Sequence, residues 1–257
     1  MTEELHDAQA RKRRARRFGR AASTYDQSAH AQRRLAQILF CDLQKRGGFA
    51  GKSVFEAGCG TGALSKQLLT LNPASLTLCD LSTAMLDSCR SALGEQGVPL
   101  SFLCADAEKD PLPQKYDLIA SSAVFQWFSS LKGGLLNLKN ALNPGGILAA
   151  AFYTRGTFEE IRQVSGDGIA YVSAAEAEKI AKEIFSEVSC RSLSFKTFYP
   201  DALSMLRSLK ETGVSGTGGR IWTPAKLLEF TREYERRFKD ERGARLSWEA
   251  CELIARA

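Results

Sequence analysis

Hydrophobic and polar positions repeat along this chain with two different periods. Residues 28–46 place Ala31, Leu35, Ile38, Leu39 and Leu43 at helical spacing, and Gly47-Gly48 stops that helix. From residue 52, short apolar runs of strand length alternate with helix-length amphipathic segments. Residues 53–56 predict a first strand, 63–71 a helix halted by Asn72-Pro73, and 75–79 a second strand ending at Asp80. Ser82 or Thr83 caps a helix running to about Leu93. Residues 99–104, followed by Asp106, and residues 116–121 predict the third and fourth strands. A helix over 131–142 ends at Asn143-Pro144-Gly145-Gly146, and 147–153 form a fifth strand. Five strands alternating with helices predict a parallel sheet covered on both faces. Beyond residue 153 the pattern loosens. It predicts a helix over 174–185, a strand over 192–198, a helix over 202–210 and a Gly/Ser/Thr loop over 213–219. A helix opened by Pro224 follows, and the last strand covers 246–254.

The chemistry concentrates in residues 54–62, Val-Phe-Glu-Ala-Gly-Cys-Gly-Thr-Gly. Glycine has no Cβ, so Gly58, Gly60 and Gly62 let the chain turn sharply and let a ligand lie against the backbone. With Ala63 the spacing fits the loose dinucleotide pattern G-x-G-x-x-G/A, and Asp80 falls near the place of a ribose-binding acid. Glu56 favours another guest. A carboxylate two residues before the first glycine repels a pyrophosphate and attracts a cation, which points to S-adenosylmethionine, a ligand with an ammonium and a sulfonium.

In an open α/β sheet, ligands bind beyond the carboxyl ends of the strands. The turn residues Gly58, Cys59 and Gly60 sit at one such end, and Asp80, Asp106 and the segment 121–127, with Ser122, at others. The two oxygens of Asp80 suit both ribose hydroxyls. Asp106, with Ala107 beside it, is placed to meet the adenine amino group, and Leu81 and Met85 to cover the adenine face. Each acid alone also suits a helix cap or the surface; their joint spacing is the signal.

Composition narrows the classes. The chain has 257 residues, 44% hydrophobic and 25% charged, enough to bury a full core. No apolar run approaches the ~20 residues of a membrane span, and the charged N-terminus lacks an apolar leader, so a cytoplasmic location is expected. The seven cysteines form no C-x-x-C pair and the histidines are only His6 and His30, so no metal site is expected. The net charge of +6 lies wholly in residues 1–50, with 11 Lys/Arg against 5 Asp/Glu; the remainder holds 24 of each sign. Seven basic residues fall between Arg11 and Arg20. Such a run reads as a solvated, disordered arm over residues 1–17, or as a contact for nucleic acid or an acidic protein.

These motifs together resemble the class I methyltransferases that use S-adenosylmethionine. Glu56-Ala-Gly-Cys-Gly-Thr-Gly matches their first motif, Asp80-Leu-Ser the acid after strand two, and Cys104-Ala-Asp106-Ala their second motif. Tyr116-Asp-Leu-Ile and Asn143-Pro-Gly-Gly match their approaches to strands four and five. An Asn-Pro-Gly-Gly turn there has no special place in the dinucleotide fold, which sets the oxidoreductase reading aside. A narrower resemblance lies outside these motifs. Phe18-Gly-Arg-Ala-Ala-Ser-Thr-Tyr25, Ser121-Ser-Ala-Val-Phe-Gln-Trp127, Leu206-Arg-Ser-Leu-Lys-Glu-Thr-Gly213 and Leu246-Ser-Trp248 are similar to segments of the malonyl-acyl-carrier-protein O-methyltransferases of biotin synthesis. The sequence after Gly213 is looser than that family's pattern, and the basic arm heavier.

The resemblance implies a Rossmann-like α/β fold with a mostly parallel seven-stranded sheet. Residues 18–257 would form one methyltransferase domain, with lid helices at about 200–243 inserted before the last strand. It implies methyl transfer from S-adenosylmethionine, leaving S-adenosylhomocysteine, to the free carboxylate of malonyl-acyl carrier protein or malonyl-coenzyme A. That carboxylate, with a pKa near 4, needs no general base. Arg207 is the first candidate to clamp it, with Arg155 and Lys210 behind, because an arginine fork matches a carboxylate. Tyr25 is placed to reach the cofactor or the carboxylate, and Gln126 and Trp127 to line the acceptor pocket. A monomer is expected, with no membrane and no nucleic acid. The other readings are a methyltransferase for a different small molecule and, more remotely, an RNA methyltransferase or an RNA-binding module using the arginine arm.

Overall fold

Strand-forming runs that are apolar on both faces must be covered on both faces, and the architecture follows from that. The computed structural model describes residues 2–166, 168–214 and 222–257. β1 (Ser53–Ala57), β2 (Ser75–Asp80), β3 (Leu100–Cys104), β4 (Tyr116–Ser122) and β5 (Leu142–Tyr153) pair in parallel. β6 (Glu187–Tyr199) and β8 (Gly243–Arg256) add antiparallel, giving the order β3-β2-β1-β4-β5-β8-β6. This is the mostly parallel seven-stranded sheet expected; a two-residue β7 (Lys239–Asp240) pairs with β8 beside it.

Alternate side chains of β1 serve two cores. Val54 joins the core shared with α3 (His30–Arg46), α4 (Ala63–Leu69) and α5 (Thr83–Leu93), where Leu35, Leu39 and Leu43 form a fully buried stripe four residues apart. Phe55 and Ala57 join the opposite core, with α6 (Leu131–Asn140) and α8 (Ala174–Lys182). Around β6 and β8, Trp248 is the centre of packing. Tyr153, Phe158 and Phe195 lie 5.0, 4.8 and 6.1 Å from its ring, and its indole N–H donates to Thr197 Oγ1 at 2.8 Å. α7 (Glu159–Ser165), α9 (Ala202–Glu211) and α10 (Pro224–Phe238) pack at this end, and α9 and α10 precede β8 as expected of the inserted helices.

Three features differ from expectation. β5 starts at Leu142, so the Asn143-Pro-Gly-Gly turn is a bulge inside it: Tyr116 pairs with Leu142, but Leu118 already pairs with Ile147. β6 and β8 are longer than the sequence pattern shows, because they extend each other as a long antiparallel ribbon, from Glu187 opposite Arg256 to Tyr199 opposite Ala244. The basic arm is a helix, α1 (Thr2–Ala21), with α2 (Tyr25–Ser28) after it. It has no apolar stripe to announce it. It is held by Arg11 to Asp110 at 2.6 Å, by Arg14 donating to the Trp127 carbonyl, and by Phe18 edge-on to Trp127 at 5.7 Å. Of the predicted 213–219 loop, residues 215–219 lie outside the described residues.

The β7–β8 turn meets the end of β6 at Gly243, which has φ +112° and whose added Cβ would stand 2.1 Å from the Tyr199 carbonyl oxygen. Gly243→Ala is expected to cost roughly 2–4 kcal/mol through backbone strain and overpacking. Urea unfolding followed by circular dichroism measures this, and an unchanged midpoint refutes it.

Candidate cofactor and acceptor site

The turn after β1 is built on three hydrogen bonds to two acceptors. Gly58 N–H and Cys59 N–H donate to the Cys79 carbonyl at 2.8 and 2.9 Å, and Gly60 N–H donates to Asp80 Oδ2 at 3.0 Å. Asp80 Oδ1 accepts from Ser82 N–H at 2.9 Å. Burial pushes the Asp80 carboxyl up while these amides pull it down. Gly58 (φ +71°) has no room for a side chain, since a Cβ would stand 2.2 Å from Val124 Cγ2. A Cβ on Gly60 (φ +54°) would meet nothing within 4 Å, because open space begins there.

That space is a cavity of about 680 Å³ across the carboxyl ends of β1, β2 and β4. Asp80, Leu81, Met85, Asp106 and Ala107 line one end, and Tyr25, Gly58, Gly60, Ser122 and Trp127 the other. A second cavity of about 400 Å³ shares Tyr25, Gly58, Gly60 and Ser122 with the first and adds Glu56 and Cys59. The structure thus gathers all ten cofactor residues picked from the sequence into one cleft, together with Tyr25 and Trp127. The larger chamber has two acids, Asp80 and Asp106, and the smaller has Glu56 and Asp26, the latter accepting from Thr61 Oγ1 at 2.6 Å.

Glu56 is 1% exposed, and its carboxylate accepts from Ser65 Oγ at 2.6 Å. Burial, opposed by that one hydrogen bond, pushes its pKa up to about 8. Asp106 is buried, accepts from Glu108 N–H at 3.0 Å and has Arg11 Nε at 3.6 Å; burial raises its pKa as well. Ser122 Oγ is buried without a partner in both cavities. A nucleoside with a cationic amino-acid tail fits these residues: acids at both ends, a free hydroxyl between, and a glycine where the ligand must touch backbone.

Two expected residues lie elsewhere. Gln126, in the 3-10 turn Phe125–Trp127, folds back to donate to the Ala123 carbonyl at 2.7 Å and does not line the cleft. The tight turn after β4 brings that carbonyl within reach of its short amide. Arg207 is exposed on α9 and lines a separate depression, because α9 turns that face toward α1. Of its substitutes, Lys210 lines the same depression and Arg155 pairs with Glu176 at 2.9 Å. The residues missed from the sequence are Arg14 and Phe18, which roof the larger chamber. Tyr153 lies behind Tyr25 and lines neither chamber. Tyr153 is 2% exposed, its hydroxyl is buried without a partner, and Tyr25, Tyr171 and Tyr199 lie near enough to raise its pKa further after burial. Arg11, Arg14 and Phe18 share one helical face, a signal hidden by the charge of the run.

The sheet order separates this cleft from a dinucleotide fold, whose doubly wound order 3-2-1-4-5-6 has no antiparallel strand between β5 and the edge. Residues 55–150 match the model of a methyltransferase domain. A malonyl-acyl-carrier-protein O-methyltransferase of Bacteroides thetaiotaomicron is 33% identical over 94% of this chain and 96% of its own length. The chain belongs to the malonyl-acyl-carrier-protein O-methyltransferase family. Another such protein, from Bacteroides fragilis, is 34% identical over 94% of this chain, which spans about half (49%) of that relative's length. The magnesium protoporphyrin IX methyltransferase of Synechocystis, solved with bound SAH, superposes with a TM-score of 0.55 at 16% identity, over 88% of this chain and 83% of that one. The likeness is one of fold, the class I methyltransferase fold.

The raised pKa of Glu56 has a sign. Without a cation nearby the carboxyl is protonated at neutral pH, and an ammonium beside it favours the ionised form. Binding of S-adenosylhomocysteine at pH 7 is therefore expected to release close to one proton, and affinity to rise with pH until about 8. In the ligand-free protein the same group removes stability as pH rises from the ordinary carboxyl range to about 8, and no more above it. Calorimetry in buffers of different ionisation enthalpy reads the proton. Glu56→Gln should abolish its release; undiminished release in that variant would show that another group titrates.

Proposed function

We propose that this methyltransferase transfers the methyl group of S-adenosylmethionine to the free carboxylate of a malonyl thioester carried on an acyl carrier protein. The observation that carries the reading is similarity along the whole of a malonyl-acyl-carrier-protein O-methyltransferase, joined to a cleft with acids at both ends. Bound there, S-adenosylmethionine supplies an electrophilic methyl group whose bonding pair stays on sulfur when the carboxylate oxygen takes the carbon. Glu56 meets the ammonium, Asp80 accepts from the ribose hydroxyls, and Asp106 accepts from the adenine amino group.

The acceptor needs no base, since a malonyl carboxylate is already ionised. It needs positioning in a dry place. Arg14 and Arg33 line the cleft but are engaged, Arg14 with the Trp127 carbonyl and Arg33 with the Asp26 carbonyl and His30 Nδ1. The hydroxyl of Tyr25, which lines both chambers, is the donor that holds the carboxylate. A neutral O–H orients a carboxylate without the charge pairing that would favour the ground state over a transition state in which the charges cancel. The product, a neutral methyl ester, passes as an ordinary primer to chain-elongating enzymes, a first step toward a biotin precursor. Seven free cysteines suit a reducing compartment, and we place the enzyme in the cytoplasm as a monomer.

Purified protein given methyl-labelled S-adenosylmethionine and malonyl thioester should form a base-labile labelled ester. Tyr25→Phe is expected to lower kcat about tenfold, the worth of one hydrogen bond to a charged group, with affinity for S-adenosylhomocysteine retained. Absence of the ester sinks the proposal; wild-type turnover in the variant removes the Tyr25 hydroxyl from it.

A further inference from the structure

The face of α1 turned away from the larger chamber carries a second cluster of charge. Arg13, Arg16, Arg17 and Arg20, spaced i, i+3, i+4 and i+7, project on one side of α1, and α9 presents Arg207 and Lys210 opposite them. Together they line an open depression of about 1240 Å³. The acid at its rim, Glu211, accepts from Ser28 Oγ at 2.6 Å. Among the described side chains none of the six cations is ion-paired with an acid. Arginines elsewhere among the described residues mostly find a carboxylate, as Arg155, Arg162, Arg191, Arg236 and Arg242 do. Like charges brought together on two helices repel, and an anion between them removes the repulsion.

The wall between this depression and the cleft is thin. The guanidinium of Arg17 lies 5.0 Å from the ring of Trp127 and 5.5 Å from that of Phe18, both of which line the larger chamber. Arg17 Nε is buried without a partner. One ligand can therefore have a reacting end in the cleft and an anionic group in the depression. Planar guanidinium forks match phosphate oxygens, and a thioester carrier has a phosphate at the far end of its pantetheine arm from the acyl group. We infer that the depression binds the phosphate of the pantetheine arm that carries the malonyl thioester. The inference rests on the malonyl-thioester reading above. It gives Arg207 a place in substrate binding, away from the carboxylate. An RNA backbone would also meet cations here, but the two neighbouring rings are turned into the cleft wall and offer no base a stacking face.

The test compares malonyl-pantetheine 4′-phosphate with malonyl-pantetheine, which lacks only the phosphate, as substrates of the full chain. The wild type should show a KM for the phosphorylated thioester lower by about tenfold or more. The double variant Arg20→Glu/Arg207→Glu should raise that KM by about tenfold to a hundredfold, with kcat and the KM for malonyl-pantetheine unchanged within about twofold. Retained S-adenosylhomocysteine affinity shows that the variant is folded. Calorimetry with pantetheine 4′-phosphate alone reads the site without turnover, and its binding should vanish in the variant. Equal KM values in the wild type, or parallel losses on both thioesters in the variant, overturn the inference. So does short single-stranded RNA whose binding the variant loses while pantetheine 4′-phosphate shows no binding to either protein. Methylation of neither thioester with pantetheine 4′-phosphate binding intact instead overturns the malonyl reading and leaves a phosphate site. Loss on malonyl-coenzyme A without loss on the carrier-bound thioester assigns the depression to the nucleotide phosphates and also overturns it.

Discussion

An acid sits near the carboxyl end of the buried central strand β1, and the cleft is arranged around its cost. Among the described residues Glu56 has one hydrogen-bond partner, Ser65, at 2.6 Å, and no cation stands against it. Keeping that carboxyl protonated at neutral pH costs the folded state on the order of 3 kcal/mol relative to the unfolded chain. A structural salt bridge would have removed that cost and left nothing for a ligand. The carboxyl is left with a single hydrogen bond among the described residues, so the proposed cationic guest would relieve the cost of its burial.

The glycine turn and Asp80 make the rest of the cleft from backbone. Gly60 N–H holds the Asp80 carboxylate from one side and Ser82 N–H from the other, so the acid is oriented before any sugar arrives. Orientation by amides costs no side-chain entropy when a ligand binds. The same economy appears at Glu108, whose carboxylate takes Ser129 and Ser130 and pins the start of α6 beside the cleft.

The first helix gives this common fold its particular site. α1 lies across the larger chamber through Arg11, Arg14 and Phe18, while its other face supplies four arginines to the depression shared with α9. Arg17, stacked on Trp127, joins the two. A helix with a mostly charged surface does not fold for its own sake; it is ordered by the aromatic and acidic groups that the sheet holds ready for it.

The alternation of apolar runs and capped helices, the glycine spacing, Glu56, Asp80 and Asp106 were all legible along the chain, because each is a local pattern: a strand end, a turn and an acid within a few residues. Local patterns also placed α9 and α10 before the last strand. What the order of residues left open were relations between distant segments. Arg207 carries the right fork for a carboxylate, yet α9 aims it at α1; Gln126 has the right amide, yet a tight turn gives it to Ala123. Tyr153 reads as the end of a core strand, and only packing beside Tyr25 leaves its hydroxyl buried and unpaired. The sequence by itself determined the sheet and put the glycines and acids of the cleft at its strand ends. The tertiary structure decided which side chains meet across the cleft and that the basic run becomes a wall, since burial and pairing depend on neighbours more than a hundred residues away.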